Sequence, residues 1–110
     1  MLRLGGPVGG YGNDPDAWID ALRREGYNAA YCPVGADASD DIVRAFVRAA
    51  DEAGIVIAEV GAWSNPISPD PDTRRAALER CKARLELADR LGARCCVNIA
   101  GSMGEEWDAP

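Results

Sequence analysis

The 110-residue sequence contains no histidine, one lysine (Lys82) and one phenylalanine (Phe46). Histidine is the side chain most often used as a general base near neutral pH and as a metal ligand. Its absence excludes Ser-His-Asp and Cys-His nucleophilic mechanisms within this chain. Lys82 falls inside a predicted helix, away from the strand ends where a Schiff-base lysine would be expected. We therefore assign no catalytic residue to this sequence.

Positive charge is also scarce. The chain has 12 basic and 18 acidic residues, a formal net charge of −6, and no stripe of lysine or arginine with interleaved aromatic residues. Such a chain repels phosphate backbones, so we expect no nucleic-acid partner. No apolar run approaches the roughly 20 residues of a membrane span, and the first residues lack a signal peptide's apolar region. We expect a cytoplasmic protein with no membrane partner.

Four cysteines are present without any C-x-x-C spacing, at positions 32, 81, 95 and 96. A disulfide framework requires an oxidising compartment, and a zinc site requires spaced clusters of ligands. We interpret all four as reduced thiols packed in the fold. The sequence therefore predicts no metal site and no cofactor in this chain.

The same local pattern of strand, loop, capped helix and glycine occurs three times. The helices are predicted to begin at Asp14-Pro15, Ser39 and Asp70-Pro71 and to end at Gly26, Gly54 and Gly92. An acidic or hydroxyl N-cap, proline at the first helical position and a C-terminal glycine are typical of helix boundaries. The predicted strands are Leu2–Pro7, Tyr27–Val34, Ile55–Trp63 and Arg94–Ala100. In the third helix, Leu78, Cys81, Leu85, Ala88 and Leu91 recur at steps of three and four. Lys82 and the arginines occupy the other face of this helix, which we interpret as a solvated face.

Alternating strands and helices of this length predict βαβ units with parallel strands. We predict one α/β domain over residues 1–110, made of the first four βα units of a (β/α)₈ TIM-type barrel with its helices outside. The last residues, 105–110, would lie in the loop after the fourth strand. An open, flavodoxin-like sheet that binds phosphate through the glycine-rich loop 5–12 is an alternative. No dinucleotide fingerprint follows the first strand, which favours the barrel.

Polar residues on strands three and four are candidates for a binding site. Strict alternation predicts these inward-facing residues: Ile57, Glu59, Gly61, Trp63, Cys96, Asn98 and Ala100. An isolated carboxylate is costly to bury, so Glu59 either lines a substrate pocket or pairs with Arg3. Trp63 either forms an aromatic wall, with Ser64–Pro66 as polar tips, or plugs the core. We predict Glu59, Trp63 and Asn98 as substrate-binding residues.

Four segments of the sequence resemble the sugar phosphate isomerase/epimerase family of xylose isomerase-like TIM barrels. They are Leu4-Gly-Gly-Pro-Val, Ala30-Tyr-Cys-Pro-Val, Ile57-Ala-Glu-Val-Gly-Ala-Trp-Ser-Asn-Pro and Gly92-Ala-Arg-Cys-Cys-Val-Asn-Ile-Ala-Gly. Together they follow the chain strand by strand. The resemblance implies an enzyme of carbohydrate metabolism that acts on a sugar or sugar phosphate and binds manganese, magnesium or cobalt at the C-terminal face of an eight-stranded barrel.

The family's usual metal ligands, Glu, Asp, His and Glu, lie on strands five to eight, so none can be transferred to this sequence. The resemblance therefore implies an N-terminal fragment that is inactive alone. In it, Glu59, Trp63 and Asn98 only line the pocket of the complete barrel. The alternative function is a half-barrel that homodimerises through its exposed strand edges and binds a small polar ligand.

Overall fold

Side-chain caps and glycines set the boundaries of the helices in this computed structural model, which describes residues 1–104. The helices are α1 (Pro15–Arg24), α2 (Asp40–Ala53) and α3 (Pro71–Leu91). Asp14, Ser39 and Asp70 each accept a backbone N–H at the helix start, as predicted. Gly54 and Gly92 end α2 and α3 at φ of 69° and 65°, where a side chain would be strained. None of the described helices is long and apolar enough to cross a membrane.

The four strands form one parallel sheet in the order of the sequence. They are β1 (Gly5–Gly6), β2 (Ala29–Tyr31), β3 (Val56–Ala62) and β4 (Cys95–Asn98). All are shorter than predicted. Regular pairing of β2 ends before Pro33, which has no N–H to donate to a neighbouring strand. The predicted loop at residues 105–110 lies outside the described residues.

The sequential strand order distinguishes a barrel segment from a doubly wound sheet. A flavodoxin-like sheet has the order 2-1-3-4-5 with helices on both faces. In this chain the order is β1-β2-β3-β4, α1 packs on α2, and α2 packs on α3. All three helices contribute to one core against one face of the sheet. The described residues thus form the α/β half-barrel that the sequence predicts, and the flavodoxin-like alternative is wrong.

The core lies between the helices and the sheet. Its largest fully buried side chains are Trp18, Leu22, Phe46, Val60 and Leu87. The rings of Trp18 and Phe46 pack edge to face with their centroids 5.4 Å apart. The rings of Tyr11 and Phe46 also pack edge to face, with their centroids 6.2 Å apart. Because the helices cover only this face, the opposite face of the sheet, on the barrel-axis side, carries no helix in residues 1–104.

The apolar side of α3 is wider than the surface it packs against. Leu87, Ala88 and Leu91 are buried in the core, whereas Leu78 is 46% exposed and Leu85 is 63% exposed. The regular apolar spacing of α3 therefore extends beyond the part of the helix that packs in the core. Both leucines line a groove of about 240 Å³ beside β4, the last strand of the described sheet, and no other described element covers it.

Candidate ligand-binding site

The strand register determines which side chains share the face that the helices leave uncovered. Glu59 on β3 lies in register with Tyr31 on β2 and with Cys95 on β4. Register partners in a parallel sheet point to the same face. Tyr31 and Cys95 are both exposed, so this is the inner face of the half-barrel. Glu59 therefore lies on the face predicted for it.

A β-bulge breaks the alternation on β3. Ala30 pairs with Ile57, but the next residue, Tyr31, pairs with Glu59, which leaves Ala58 as an extra residue. Ile57 is consequently buried on the helix side, and its predicted inward orientation is wrong. After the bulge the alternation is regular, and Val60 is buried against the helices while Glu59 is not.

Asn98 does not share the inner face with Glu59. It lies in register with Ala62, which is buried on the helix side, and its Nδ2 is 3.9 Å from the Sγ of Cys81 on α3. The predicted inward orientation of Asn98 is therefore wrong, and its predicted contact with substrate loses its geometric basis. Residues 95 and 96 are both cysteines, so the sequence alone did not reveal which of the two faces inward. The orientation of Asn98, two residues after Cys96, was therefore also undetermined.

Trp63 follows β3 and folds back over the inner face. A Cβ atom on Gly61 would overlap the Trp63 indole, so the bare glycine backbone is what lets the ring lie there. The side chain is 56% exposed, so the ring lies at the surface of the described half-barrel. Glu59 and Trp63 are each two residues away from Gly61, so all three lie on the same face.

A concave surface of about 300 Å³ joins these side chains near the C-terminal ends of β2 and β3. It is lined by Tyr31, Cys32, Glu59, Gly61, Trp63 and Arg84. Its volume is within the range of small-molecule pockets, and barrel enzymes build their active sites at this end. A larger concavity of about 440 Å³ lies around Ile55 and Arg94, at the opposite end of the strands, where barrel residues serve stability.

Glu59 has no ion-pair or side-chain hydrogen-bond partner within residues 1–104. Arg3, its predicted partner, instead donates to the carbonyl oxygens of Asn28 and Gly54 at 2.9 and 2.8 Å. Those carbonyls belong to the N-terminal ends of β2 and β3, away from Glu59. The Arg3–Glu59 ion pair is therefore wrong, and the Glu59 carboxylate remains available to accept hydrogen bonds from a ligand.

Asn65 ties the loop after β3 to the loop after β4. Its Nδ2 donates to the carbonyl of Ser102 at 2.8 Å, and its Oδ1 accepts from the Ser102 N–H at 3.0 Å. Gly101 precedes this contact at φ 95°, and a side chain there would overlap the Asn65 amide. The sequence suggested Asn65 as a polar tip for a ligand, whereas both ends of its amide are engaged in joining the two loops.

Arg84 is the residue of this site that the sequence analysis missed. The arginines of α3 were interpreted as a solvated face, yet Arg84 is half-buried and lines the same surface as Glu59. Burial raises the pKa of the neighbouring Cys32 thiol above its ordinary value, and the positive charge of Arg84 opposes this rise only in part. The available signal was its spacing, three residues after Cys81 and four before Ala88, at the edge of the buried stripe.

The described residues do not fit the divalent-metal site that the family resemblance implies for a complete barrel. Within residues 1–104, no group of three or more His, Cys, Asp or Glu side chains is positioned to hold a metal ion. Glu59 stands on the inner face without a second carboxylate among the residues that line its surface. No metal-dependent step is therefore assigned to these residues.

Comparison with known protein families agrees with this architecture. The family described as xylose isomerase-like TIM barrel matches residues 19–110. The match begins within α1 and includes every later helix and strand. The match covers Glu59, Trp63, Asn98 and Arg84. The chain therefore belongs to the xylose isomerase-like TIM barrel family.

Proposed function

We propose that this chain supplies the first half of the substrate-binding surface of a sugar isomerase/epimerase-like barrel. The observation that carries the proposal is the joint placement of Glu59 and Trp63 on the inner face, around one concave surface near the strand ends. Family membership supports the sugar isomerase/epimerase-like fold. The substrate class is a small polyhydroxylated molecule, a sugar or a sugar phosphate.

The two side chains offer complementary contacts to a sugar. The exposed indole of Trp63 presents an aromatic face to the apolar C–H surface of a sugar ring, and its N–H is a donor. The Glu59 carboxylate is an acceptor for sugar hydroxyls, and hydrogen bonds to an ionised acceptor are among the stronger ones. Tyr31, 48% exposed on the same face, adds a second aromatic surface.

In this proposal the chain binds sugar but does not convert it alone. A TIM barrel has eight strands, and the described residues form four of them. They lack a histidine and a cluster of metal ligands, so the manganese, magnesium or cobalt expected for the complete family barrel would be held by other strands. Proton transfer between sugar carbons is accordingly assigned to the complete barrel.

Isothermal titration calorimetry of the 110-residue chain with D-fructose and D-fructose 6-phosphate tests the proposal. We expect saturable binding that Trp63→Phe weakens, because the smaller ring loses the indole N–H donor and part of the aromatic face. Glu59→Gln should weaken binding by about tenfold or more, because it removes hydrogen bonds to an ionised acceptor. Glu52→Gln, an exposed carboxylate on α2, is the matched control and should leave the affinity unchanged. Binding that is indifferent to both Glu59→Gln and Trp63→Phe would overturn the proposal.

The exposed leucines of α3 favour a second candidate, a homodimeric half-barrel that binds a small polar ligand. Leu78 and Leu85 line an apolar groove beside β4, and β4 and β1 are the two edge strands of the sheet within residues 1–104. We expect sedimentation velocity between about 1 and 100 μM to show a monomer–dimer equilibrium, which mass action makes concentration-dependent. Leu85→Glu should shift it to monomer, whereas a monomer at every concentration for the unmodified chain would contradict this candidate.

A further inference from the structure

Arg84 differs from the other basic residues of α3 in its surroundings. Four of those residues have a carboxylate or carbonyl partner: Arg74 with Ser68, Arg75 with Asp72, Lys82 with Glu79 and Arg90 with Asp40. Arg80 has no such partner, but it is exposed to water. Arg84 is half-buried and has no carboxylate within ion-pair distance in residues 1–104.

The thiol of Cys32 lines the same surface as Arg84. Burial raises the pKa of this thiol above its ordinary value, so it is uncharged at neutral pH and does not balance the guanidinium. A partly desolvated cation without an anion is unfavourable, and an anion bound next to it would remove that penalty. Arg84 thus places a positive charge on a concave surface without an anion paired to it among residues 1–104.

Arg84 and Glu59 line the same surface of about 300 Å³ without forming an ion pair. The space between them suits a ligand with an anionic group at one end and hydroxyl groups at the other. A guanidinium presents two parallel N–H donors that match a carboxylate or a phosphate. We infer that the ligand of this site is a polyol with an oxyanion group, which binds Arg84 while its hydroxyls donate to Glu59. This inference rests on the proposed function.

The experiment compares the affinities of the same chain for neutral and anionic polyols by isothermal titration calorimetry. The probes are D-fructose and D-sorbitol, which are neutral, D-fructose 6-phosphate, and D-gluconate, which carries a carboxylate. We expect at least one anionic probe to bind about tenfold more tightly than its neutral counterpart, the gain of one charge-assisted contact. The phosphate and carboxylate probes show which oxyanion fits. Added salt should weaken the anionic probes more than the neutral ones.

Variants of α3 assign the effect to Arg84. Arg84→Gln should bring the affinity for anionic probes down to that for neutral ones, and Arg84→Lys should retain part of the preference because it keeps the charge but not the paired donors. Arg80→Gln, on the same helix and exposed, is the matched control and should change neither affinity. Thermal melts of each variant verify that it is folded before its affinity is compared.

Two outcomes separate this inference from the proposed function. Equal affinity for neutral and anionic probes, with both weakened by Glu59→Gln, overturns the role of Arg84 and leaves the proposed function standing. An anionic preference that Arg84→Gln abolishes, but that Glu59→Gln and Trp63→Phe do not affect, supports an anion site at Arg84 and overturns the proposed function. A preference that survives Arg84→Gln also overturns the inference.

Discussion

Replacing Phe46 with alanine should lower the free energy of unfolding by about 3–5 kcal/mol, the usual cost of deleting a fully buried aromatic ring. The Phe46 ring has no exposed surface, and the rings of Trp18 and Tyr11 contact it edge to face. The substitution would remove both ring contacts and leave a cavity between Trp18 and Tyr11. Because a domain of this size is stable by only about 5–15 kcal/mol, the variant is expected to lose a large fraction of its free energy of unfolding and to unfold at a lower urea concentration.

Urea denaturation followed by far-ultraviolet circular dichroism measures this effect. Tyr31→Ala provides the comparison, since Tyr31 is also aromatic but is 48% exposed on the inner face. It should change the free energy of unfolding by no more than about 0.5 kcal/mol, as is usual for surface substitutions. A loss below about 1 kcal/mol for Phe46→Ala would show that the three helices do not share the core described above.

The second large effect is expected at Asn65. Asn65→Ala removes both hydrogen bonds to the backbone of Ser102 and should destabilise the protein by about 2–4 kcal/mol, since a poorly solvated donor and acceptor lose this partner. Asn65→Asp keeps an acceptor for the Ser102 N–H but places its second carboxylate oxygen against the Ser102 carbonyl oxygen, where two acceptors repel each other. We expect this variant to be destabilised at least as much as Asn65→Ala.

Hydrogen exchange at the Ser102 amide reports local opening of the two loops, and urea denaturation reports the free energy of global unfolding. Together they show which of the two Asn65→Ala changes. Asn13→Ala is the control, because Asn13 is exposed in the loop before α1 and makes no side-chain hydrogen bond among the described residues. Unchanged protection of the Ser102 amide in Asn65→Ala would mean that the two loops are held together by other contacts. The role assigned to Asn65 would then be wrong.

Local physical chemistry explains why the helices were predictable. Asp14, Ser39 and Asp70 satisfy free N–H groups within three residues of themselves, and Gly54 and Gly92 adopt a left-handed conformation that other residues avoid. Both signals depend on neighbours in the sequence. Strand ends depend instead on which residues find a pairing partner, and the predicted strands were accordingly too long.

The site was predictable where strand alternation alone decides orientation. Glu59 and Trp63 lie inward because the alternation is regular after the bulge. Asn98 was misplaced because its orientation follows from the pairing of Cys95 with Glu59, a contact between distant parts of the chain. Arg84 was missed because its spacing indicates only that it lies at the edge of the buried stripe, and which surface the end of its long side chain reaches depends on the neighbouring layer.

The extra residue at Ala58 determines how this strand tolerates insertions and deletions. Deleting Ala58 would leave Ile57 facing the helices and Glu59 facing inward, since the bulge already compensates for one residue. A single-residue insertion or deletion after Glu59 has no such compensation. It would reverse the two faces downstream, bringing Val60 or Ala62 inward and Trp63 towards the helices. Strand β3 can thus lose a residue at the bulge without a change in the orientation of its other side chains. After Glu59 a change of length would reverse them, so length variation is confined to the segment before Glu59 and Trp63.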